Sequence, residues 1–204
     1  MARYTGPKGR VNRRLQALIY ESGGASRALE KRGNQPPGMH LRFRRPSTYG
    51  QALMEKQKIK HYYGLGERQL RRYFEKATRQ KGNTGENLLM MCENRLDNVV
   101  RRVGLSRTRS QSRQGIVHGH FRVNGRKVDK PSYQLRPGDV ISIRPRNNLL
   151  LLYKGIREAG IDGEGCEWVT LDTETLTATV QGKPGPTDIS LPVDANTVVE
   201  FLSR

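Results

Sequence analysis

The spacing of apolar residues changes along the chain, and the change predicts helices first and strands later. Across residues 47–104 apolar positions recur every three or four residues, which is typical of amphipathic helices. Further along, Phe121 and Val123 alternate with polar neighbours, which predicts a short strand. The Asn124-Gly125 pair that follows is a strong signal for a two-residue hairpin turn.

Four helices can be placed by this spacing and by the residues that start and stop helices. We expect Thr84 and Ser106 to cap the third and fourth of them. The third is either one long helix or two helices joined near Glu93–Asn94. The predicted helices cover residues 47–64, 66–80, 84–104 and 107–119.

The two ends of the chain differ from this middle part. Residues 1–46 are rich in Gly, Pro, Arg and Ser, and only residues 13–22 show helical spacing. We interpret this segment as a basic arm that is either disordered or ordered by contact with an RNA backbone. At the other end, residues 148–156 are predicted to form a buried strand or a short helix. Further strands are predicted at residues 167–172, 175–181 and 197–203.

Positive charge dominates all but the C-terminal quarter of the chain. The 204 residues include 37 Lys and Arg against 19 Asp and Glu, a net charge of +18. The net charge is +14 over residues 1–90, +9 over residues 91–148 and −5 over residues 149–204. Because such a charge repels itself, it is best tolerated when a polyanion neutralises it. Nucleic acid, an acidic membrane surface and an acidic protein are the candidates, and they should bind within residues 1–148.

The second predicted helix separates its apolar and basic residues onto opposite faces. Leu70, Phe74 and Ala77 lie on one face, and a row of four cations lies on the other. Because like charges four residues apart weaken an isolated helix, this row favours a phosphate-facing ridge over a merely solvated face. Three lysines of the preceding helix add to it. The candidate RNA contacts of these two helices are Lys56, Lys58, Lys60, Arg68, Arg72, Lys76 and Arg79.

Arginines also cluster in the fourth predicted helix and the hairpin. Arg109 and Arg113 lie four residues apart on one helix face, and the planar guanidinium can bind two phosphate oxygens at once. Aromatic residues are few here, which favours folded or double-stranded RNA recognised by its backbone over single strands recognised by stacking. The further candidate contacts are Arg107, Arg109, Arg113, His118, Arg122 and Arg126, together with Arg44 and Arg45 of the arm.

Signs of catalysis are weak. The residues RLD at 95–97 resemble the catalytic aspartate motif of pseudouridine synthases. They lie within a helical apolar stripe, however, and no catalytic domain of adequate size follows them. We therefore expect the aspartate to stabilise a helix start and the protein to be no enzyme.

The sequence also gives no sign of a metal site, a disulfide or a membrane-spanning helix. His118 and His120 have no acid or cysteine cluster near them in sequence, so we expect no metal site and no cofactor. Cys92 and Cys166 form no CxxC pair, and Cys92 lies on the apolar stripe, which predicts a buried thiol. No apolar run approaches the roughly 20 residues of a membrane helix. A cytoplasmic location is expected.

Several stretches resemble the bacterial-type uS4 family of small-subunit ribosomal proteins. They are "MARYTGPK" at the start, "YGQALMEKQKIKHYYGLGERQ" at 49–69 and "KGNTGENLLMMCENRLDNVVRRVG" at 81–104. Residues 106–144, "SRTRSQSRQGIVHGHFRVNGRKVDKPSYQLRPGDVISIR", resemble the RNA-binding module named after that family. The resemblance runs nearly end to end and is weakest around "GIREAGIDGEGCEW".

The resemblance implies a function without catalysis. It implies direct binding to 16S ribosomal RNA at a five-helix junction in the body of the small subunit, early enough to nucleate assembly. It also implies a place beside small-subunit ribosomal protein five, among other subunit components, near the site where messenger RNA enters, and a role in translational accuracy. It adds Arg71 and Gln114 to the expected RNA contacts.

The resemblance and the pattern together predict an α+β fold, with an N-terminal helical domain and a small α/β RNA-binding module that continues into an antiparallel sheet. The predicted division is a basic arm at 1–46, a helical rRNA-binding domain at 47–93 and a module of two helices plus a hairpin at 94–155. Residues 156–204 are predicted as strands that complete the sheet and pack back on the helical domain.

One departure from the family concerns zinc. Many relatives bind zinc through an N-terminal cysteine cluster, but Gly9 and Asn12 stand where its first pair would be. We therefore expect a zinc-free form whose arm is ordered by RNA. Two alternative functions remain open: an RNA-modifying enzyme that carries the same module, and a free-standing RNA chaperone or translational repressor.

Overall fold

The computed structural model describes residues 4–32, 35–39, 42, 45–159 and 166–203. Its residues fall into two compact units, one formed by Met1–Leu88 with Leu191–Arg204 and the other by Leu89–Ser190. The first unit is helical and the second contains an antiparallel sheet, so the predicted α+β class is confirmed.

The described residues of the two units form nine α-helices and five strands. A 3₁₀ turn at Pro186–Asp188 precedes the last helix. In chain order the elements are α1 Lys8–Leu15, α2 Gly23–Arg32, α3 Thr48–Tyr62, α4 Glu67–Thr78, α5 Thr84–Glu93, α6 Leu96–Arg102, α7 Arg109–Val117, β1 Phe121–Val123, β2 Arg126–Lys127, β3 Val140–Ile143, α8 Asn147–Glu158, β4 Val169–Asp172, β5 Thr177–Val180 and α9 Ala195–Ser203.

The N-terminal segment is more structured than the predicted arm. It contains α1 and α2, which pack against each other, where only one helix over residues 13–22 was predicted. The two helices approach closely at Gly9, because a Cβ atom there would lie 2.8 Å from the Cβ of Ala28. Gly9 therefore serves helix packing, and a larger side chain at this position would force the two helices apart.

Asn12 explains why α1 ends before the predicted helix does. This fully buried side chain accepts hydrogen bonds from the backbone N–H of Ile19 at 3.2 Å and of Tyr20 at 2.9 Å. It also donates to the carbonyl of Tyr20 at 3.0 Å. The chain after α1 thus folds back on the helix, because the Asn12 side chain bonds to backbone groups of Ile19 and Tyr20 that would otherwise bond within a continued helix.

Helix α3 begins as predicted and α4 buries a slightly different face. The Ser47 hydroxyl caps α3 by accepting from the N–H of Gly50 at 3.2 Å. In α4, Leu70 and Ala77 are fully buried and are joined by Tyr73, whereas Phe74 is only half buried. The predicted apolar row was therefore wrong at Phe74, because a residue three positions after Leu70 lies on the same face just as well.

The C-terminal segment predicted as a strand at 197–203 is a helix. Helix α9 packs against α3 and α4, with Val198 fully buried. Its start is fixed by Asp194, whose carboxylate accepts from the N–H of Asn196 at 3.0 Å and of Thr197 at 3.3 Å. These bonds satisfy donors that a helix start leaves open, and they outweigh the strand preference of the adjacent valines.

The second unit carries a five-stranded antiparallel sheet in the order β2-β1-β3-β5-β4. The predicted hairpin is confirmed: Asn124 and Gly125 have positive φ angles of 50° and 76°, as a tight hairpin turn requires. The core packs residues of α6, α7 and α8 against the sheet, with Phe121 and Ile141 fully buried among them. The segment at 148–156 belongs to α8, the helical one of its two predicted forms.

The long predicted helix of residues 84–104 is two helices, α5 and α6. Asn83 rather than Thr84 caps α5, because its side chain accepts from the N–H of Gly85 at 2.9 Å. Likewise Thr108 rather than Ser106 caps α7, by accepting from the N–H of Gln111 at 3.2 Å. Each cap lies just outside the first helical residue, where the side chain can reach the second or third N–H.

Candidate nucleic-acid interface

The outer face of α4 is an array of exposed cations in the first unit. Successive cations four residues apart are separated by about 6 Å along the helix axis. None of them forms an ion pair with an acid in the part of the chain that the structure describes. Glu75 lies among them and is also exposed. We call this array the α4 face; it consists of the exposed Arg68, Arg71, Arg72, Lys76 and Arg79.

The lysines of α3 differ, because internal acids already pair with them. Lys56 and Lys60 donate to the two carboxylate oxygens of Glu67, at 2.6 and 3.0 Å. Lys58 pairs with Glu55 at 2.6 Å. These three lysines therefore differ from the α4 face in having internal acidic partners. Their contact with RNA stays a prediction.

The Glu67 pair is partly buried and structurally important. Lys56 is only 7% exposed, and its ammonium lies 4.9 Å from the ring centroid of Phe201 in α9. Partial burial alone would raise the pKa of Glu67, but the hydrogen bonds from Lys56 and Lys60 outweigh it and hold the pKa below its ordinary value. Glu67 thus stays ionised and fastens the start of α4 to α3.

In the second unit, the predicted RNA contact Arg113 also has an internal acidic partner. It is 7% exposed, and its guanidinium lies 3.6 Å from the carboxylate of Asp97. Asp97 also accepts two hydrogen bonds from the fully buried Arg95, at 2.9 and 2.6 Å. The aspartate of the RLD residues is therefore an internal counter-ion for two arginines, which goes beyond the predicted support of a helix start.

A second buried network positions Arg109. The carboxylate of Glu93 accepts from Asn98 at 2.6 Å and from Arg102 at 3.0 Å. The other side of the Asn98 amide accepts from Nε of Arg109 at 2.9 Å. The Ser106 and Ser112 hydroxyls are hydrogen-bonded to each other beneath α7. Arg109 is half buried and is held from within the core, so its orientation is fixed before any ligand arrives.

The exposed cations of the second unit lie around α7 and the hairpin. Arg122 on β1 lies directly opposite Lys127 on β2, a like-charge pair that an anion would relieve. Lys127 is also exposed. Arg122 is half exposed, and the fully exposed predicted contacts are Arg107, Gln114, His118 and Arg126.

Further cations belong to the N-terminal segment. Arg45 is exposed, whereas Arg44 lies outside the described residues. Arg10 and Arg14 of α1 are exposed four residues apart and were missed, because the N-terminal segment was treated as irregular. The apolar spacing of Val11 and Leu15 beside them is the signal that could have revealed this helix.

The described histidines and cysteines have structural surroundings. Within the described ranges no three His, Cys, Asp or Glu side chains are grouped as metal ligands. Nδ1 of His120 lies 3.0 Å from the hydroxyl of Tyr153. Burial, and secondarily His118, lowers the pKa of His120, while burial raises the pKa of Tyr153 to about 12. Burial also raises the pKa of the Cys92 thiol far above its usual range, so this thiol is a structural one.

No helix in the described ranges is both long and apolar enough to span a bilayer.

Comparison with known protein families finds two matches. Residues 3–93 match the Ribosomal protein S4/S9 N-terminal domain, and residues 94–141 match the S4 domain.

Full-length relatives give the same result. The small ribosomal subunit protein uS4 of Rhodopirellula baltica is 68% identical over 204 residues, and the alignment covers all of both chains. The proteins of the same name from Chloroflexus aurantiacus and Hahella chejuensis are 45% and 44% identical, again over the whole of both chains.

The fold, the S4 domain and the exposed cations define an RNA-binding protein of the α+β class. More specifically, the chain belongs to the uS4 family of small ribosomal subunit proteins. Members of this family are structural proteins of the ribosome and not enzymes, which removes the alternative of an RNA-modifying enzyme.

Proposed function

We propose that this protein is a structural constituent of the small ribosomal subunit that binds 16S ribosomal RNA directly. The observation that carries the proposal is the α4 face, whose cations are exposed and have no acidic partner among the described residues. Cations kept free of internal partners remain available to phosphate oxygens, which supply most of the affinity of RNA-binding proteins.

RNA binding is proposed to use two separate surfaces. One is the α4 face in the first unit. The other, in the second unit, surrounds α7 and the hairpin and includes Arg107, Arg109, Arg122 and Arg126. Because the two surfaces belong to one chain, the second contact is intramolecular once the first has formed. The combined affinity can then exceed that of either surface by about 10²–10⁴.

Finer aspects of the role follow from the resemblance of residues 49–69, 81–104 and 106–144. The RNA target is then a five-helix junction in the subunit body, and early binding there nucleates assembly. The protein lies beside small-subunit ribosomal protein five, near the site where messenger RNA enters, and supports translational accuracy. Its location is the cytoplasmic ribosome.

Sedimentation tests this proposal against the remaining alternative. In a cell extract, the chain should co-sediment with small subunits in a one-to-one ratio and should bind a transcript of the isolated junction. A free-standing RNA chaperone or translational repressor would instead remain largely in the ribosome-free fractions, and this result would contradict the proposal.

The salt dependence of binding tests the electrostatic part. Contact with six to ten phosphates would lower affinity by about 10³–10⁵ between about 50 and 200 mM salt, on the scale measured for duplex DNA. Junction binding should therefore weaken steeply as salt rises. A nearly flat dependence would show that the cations contribute little.

We further propose that the protein works without zinc. Gly9 leaves no space for a side chain beside Ala28, and Asn12 holds the chain after α1 by three hydrogen bonds. These contacts can order the N-terminal segment that a metal orders in other relatives. Metal analysis should find much less than one zinc per chain, and a chelator should leave RNA binding intact.

A further inference from the structure

A cavity of about 480 Å³ lies between α1 and α3 in the first unit. Its volume falls within the range of about 300–1,000 Å³ that is typical of small-ligand sites. Apolar side chains form most of its lining, among them Leu15, Leu53 and Met54. The α4 face and the second unit contribute nothing to it, so it is separate from the surfaces described above.

One wall of the cavity is aromatic and is held in place from inside the unit. The ring of Tyr4 meets that of His61 edge-on, with centroids 5.2 Å apart at 84°. Nδ1 of His61 lies 3.1 Å from the hydroxyl of Tyr20, whose backbone is fastened by the buried Asn12. Burial and the nearby Lys60 lower the pKa of His61, so this ring is neutral near pH 7.

Besides the aromatic wall, three described residues with polar side chains line the cavity, namely Gln57, Arg10 and Arg14. The amide of Gln57 lines the cavity and has no hydrogen bond to any described residue. Arg10 and Arg14 lie four residues apart at the rim, are exposed, and have no acidic partner in the described part of the chain. A ligand that matches all three features is flat and apolar, has a hydrogen-bonding edge, and carries an adjacent anion.

We propose that this cavity receives one unstacked nucleobase of the bound ribosomal RNA. The base stacks on the aromatic wall, its edge bonds to the Gln57 amide, and Arg10 and Arg14 hold the flanking phosphates. A side chain of another protein would satisfy the apolar lining but would leave the two arginines without a partner. The inference rests on the proposed function and deepens it, because it assigns a base contact in addition to backbone contacts.

The test combines base deletion in the RNA with substitution in the cavity. The probe is a junction transcript in which each unpaired nucleotide is replaced, one at a time, by an abasic one. The variants are Gln57→Leu, which keeps the side-chain volume and removes the amide, and Leu53→Trp, which fills the cavity. Thermal unfolding checks that each variant is folded, and Gln57→Leu remains informative if the larger side chain disrupts packing.

For the unchanged protein, one abasic position should weaken binding by about 5- to 150-fold, the range found for a stacked base. The same abasic position should cost Gln57→Leu less than it costs the unchanged protein, because the edge contact is already lost while stacking remains, and it should cost Leu53→Trp least, because the filled cavity no longer admits the base. Neither Gln57→Leu nor Leu53→Trp should alter the salt dependence of binding, since no charge changes. By contrast, the double variant Arg10→Gln with Arg14→Gln should show a shallower salt dependence of binding, because two phosphate-binding charges are lost.

A matched control comes from α2, where Arg27 and Lys31 are also exposed four residues apart but do not line the cavity. The pair Arg27→Gln and Lys31→Gln should leave the effect of the abasic position unchanged. Purely additive losses at every RNA position would overturn the base assignment while leaving the proposed function in place. Tight binding of free nucleoside monophosphates, with junction binding independent of Gln57, would identify a free-nucleotide site and would also overturn it. Failure of the unchanged protein to bind the junction would remove the proposed function and this assignment together.

Discussion

Helices α3 and α4 both carry rows of cations at helical spacing, yet the two rows have different surroundings. The α3 lysines at positions 56, 58 and 60 are bound to internal carboxylates at 2.6–3.0 Å. The α4 cations at 68, 72 and 76 are exposed and unpaired with any described acid. In sequence the two rows look alike. The difference between them separates charges that hold the fold together from charges that are available to a ligand.

The physical reason lies in where the acids are. Glu67 lies at the start of α4 and reaches back to two lysines on α3, so one carboxylate neutralises much of that row. On the outer face of α4 the exposed acid is Glu75, and no cation of the α4 face forms an ion pair with it among the described residues. A cation without an internal partner gives a ligand its full Coulomb attraction, because no protein contact is broken when the ligand binds.

The largest effect is expected from charge reversal on the α4 face. Arg72→Glu with Lys76→Glu should lower affinity for the junction by about 10²–10⁴, because one of two linked surfaces is lost. The fold should survive, since Leu70, Tyr73 and Ala77 on the buried side are unchanged. Filter binding measures the affinity and circular dichroism checks the fold.

The matched control is the other row. Lys58→Gln with Lys60→Gln removes two charges that already have partners, so affinity should change by only a few-fold. If the lysine pair weakened binding as strongly as Arg72→Gln with Lys76→Gln, the distinction between the two rows would be wrong.

The next largest effect is expected on stability, at the paired cations of the second unit. Asp97→Asn removes the charge that balances Arg95 and Arg113, and breaking a buried pair in this way costs about 3–5 kcal/mol. Urea unfolding measures the loss. Arg113→Glu should act similarly, by bringing two carboxylates together in the core. We therefore expect both variants to lose RNA binding through unfolding, whereas the Arg107→Glu variant should lose affinity while it stays folded.

These contrasts also explain which features could be read from the sequence. The α4 face, the Asn124-Gly125 hairpin and helix α7 were predicted, because each depends on residues within one or two turns of each other. The pairing of Arg113 with Asp97 and of Lys56 with Glu67 was missed, because each joins residues of different helices. Local spacing carries no information on such contacts.

The ends of the chain were misjudged for the same reason. Helix α1 stops where it does because Asn12 bonds to residues seven and eight positions later, which no helical period reveals. Helix α9 has the β-branched residues of a strand, but its cap at Asp194 and its packing on α3 decide the outcome. In each case a tertiary contact outweighs local propensity.

A smaller loss of stability is expected from Glu67→Gln. The variant leaves Lys56 without its carboxylate beside Phe201, and Lys56 is nearly buried. Because Glu67 itself is 37% exposed, water screens part of the change, and the cost should be about 1–2 kcal/mol rather than that of a fully buried pair. Thermal unfolding measures it. Junction affinity at a temperature where the variant is folded should be nearly unchanged, and a large loss there would place Glu67 or its lysines in the interface.

The smallest effect is expected from mild acid, which acts on two partly buried histidines. Burial lowers the pKa of His61 and of His120, with smaller contributions from Lys60 and His118. Between the lowered folded value and the ordinary value near 6.5, the unfolded chain binds more protons than the folded one. The stability that these neutral rings provide is therefore complete above about pH 6.5 and is lost as the pH falls through their folded pKa values.

The Glu67 pair should resist this change, because the pKa of Glu67 is lowered and the carboxylate protonates only in stronger acid. We expect the unfolding temperature to fall slightly from pH 7.5 to 5.5, by less than Glu67→Gln lowers it, and His61→Gln with His120→Gln to reduce that fall. If the unfolding temperature of the double variant fell as much as that of the unchanged protein, the acid sensitivity would belong to carboxylates such as Glu67 and not to the two histidines.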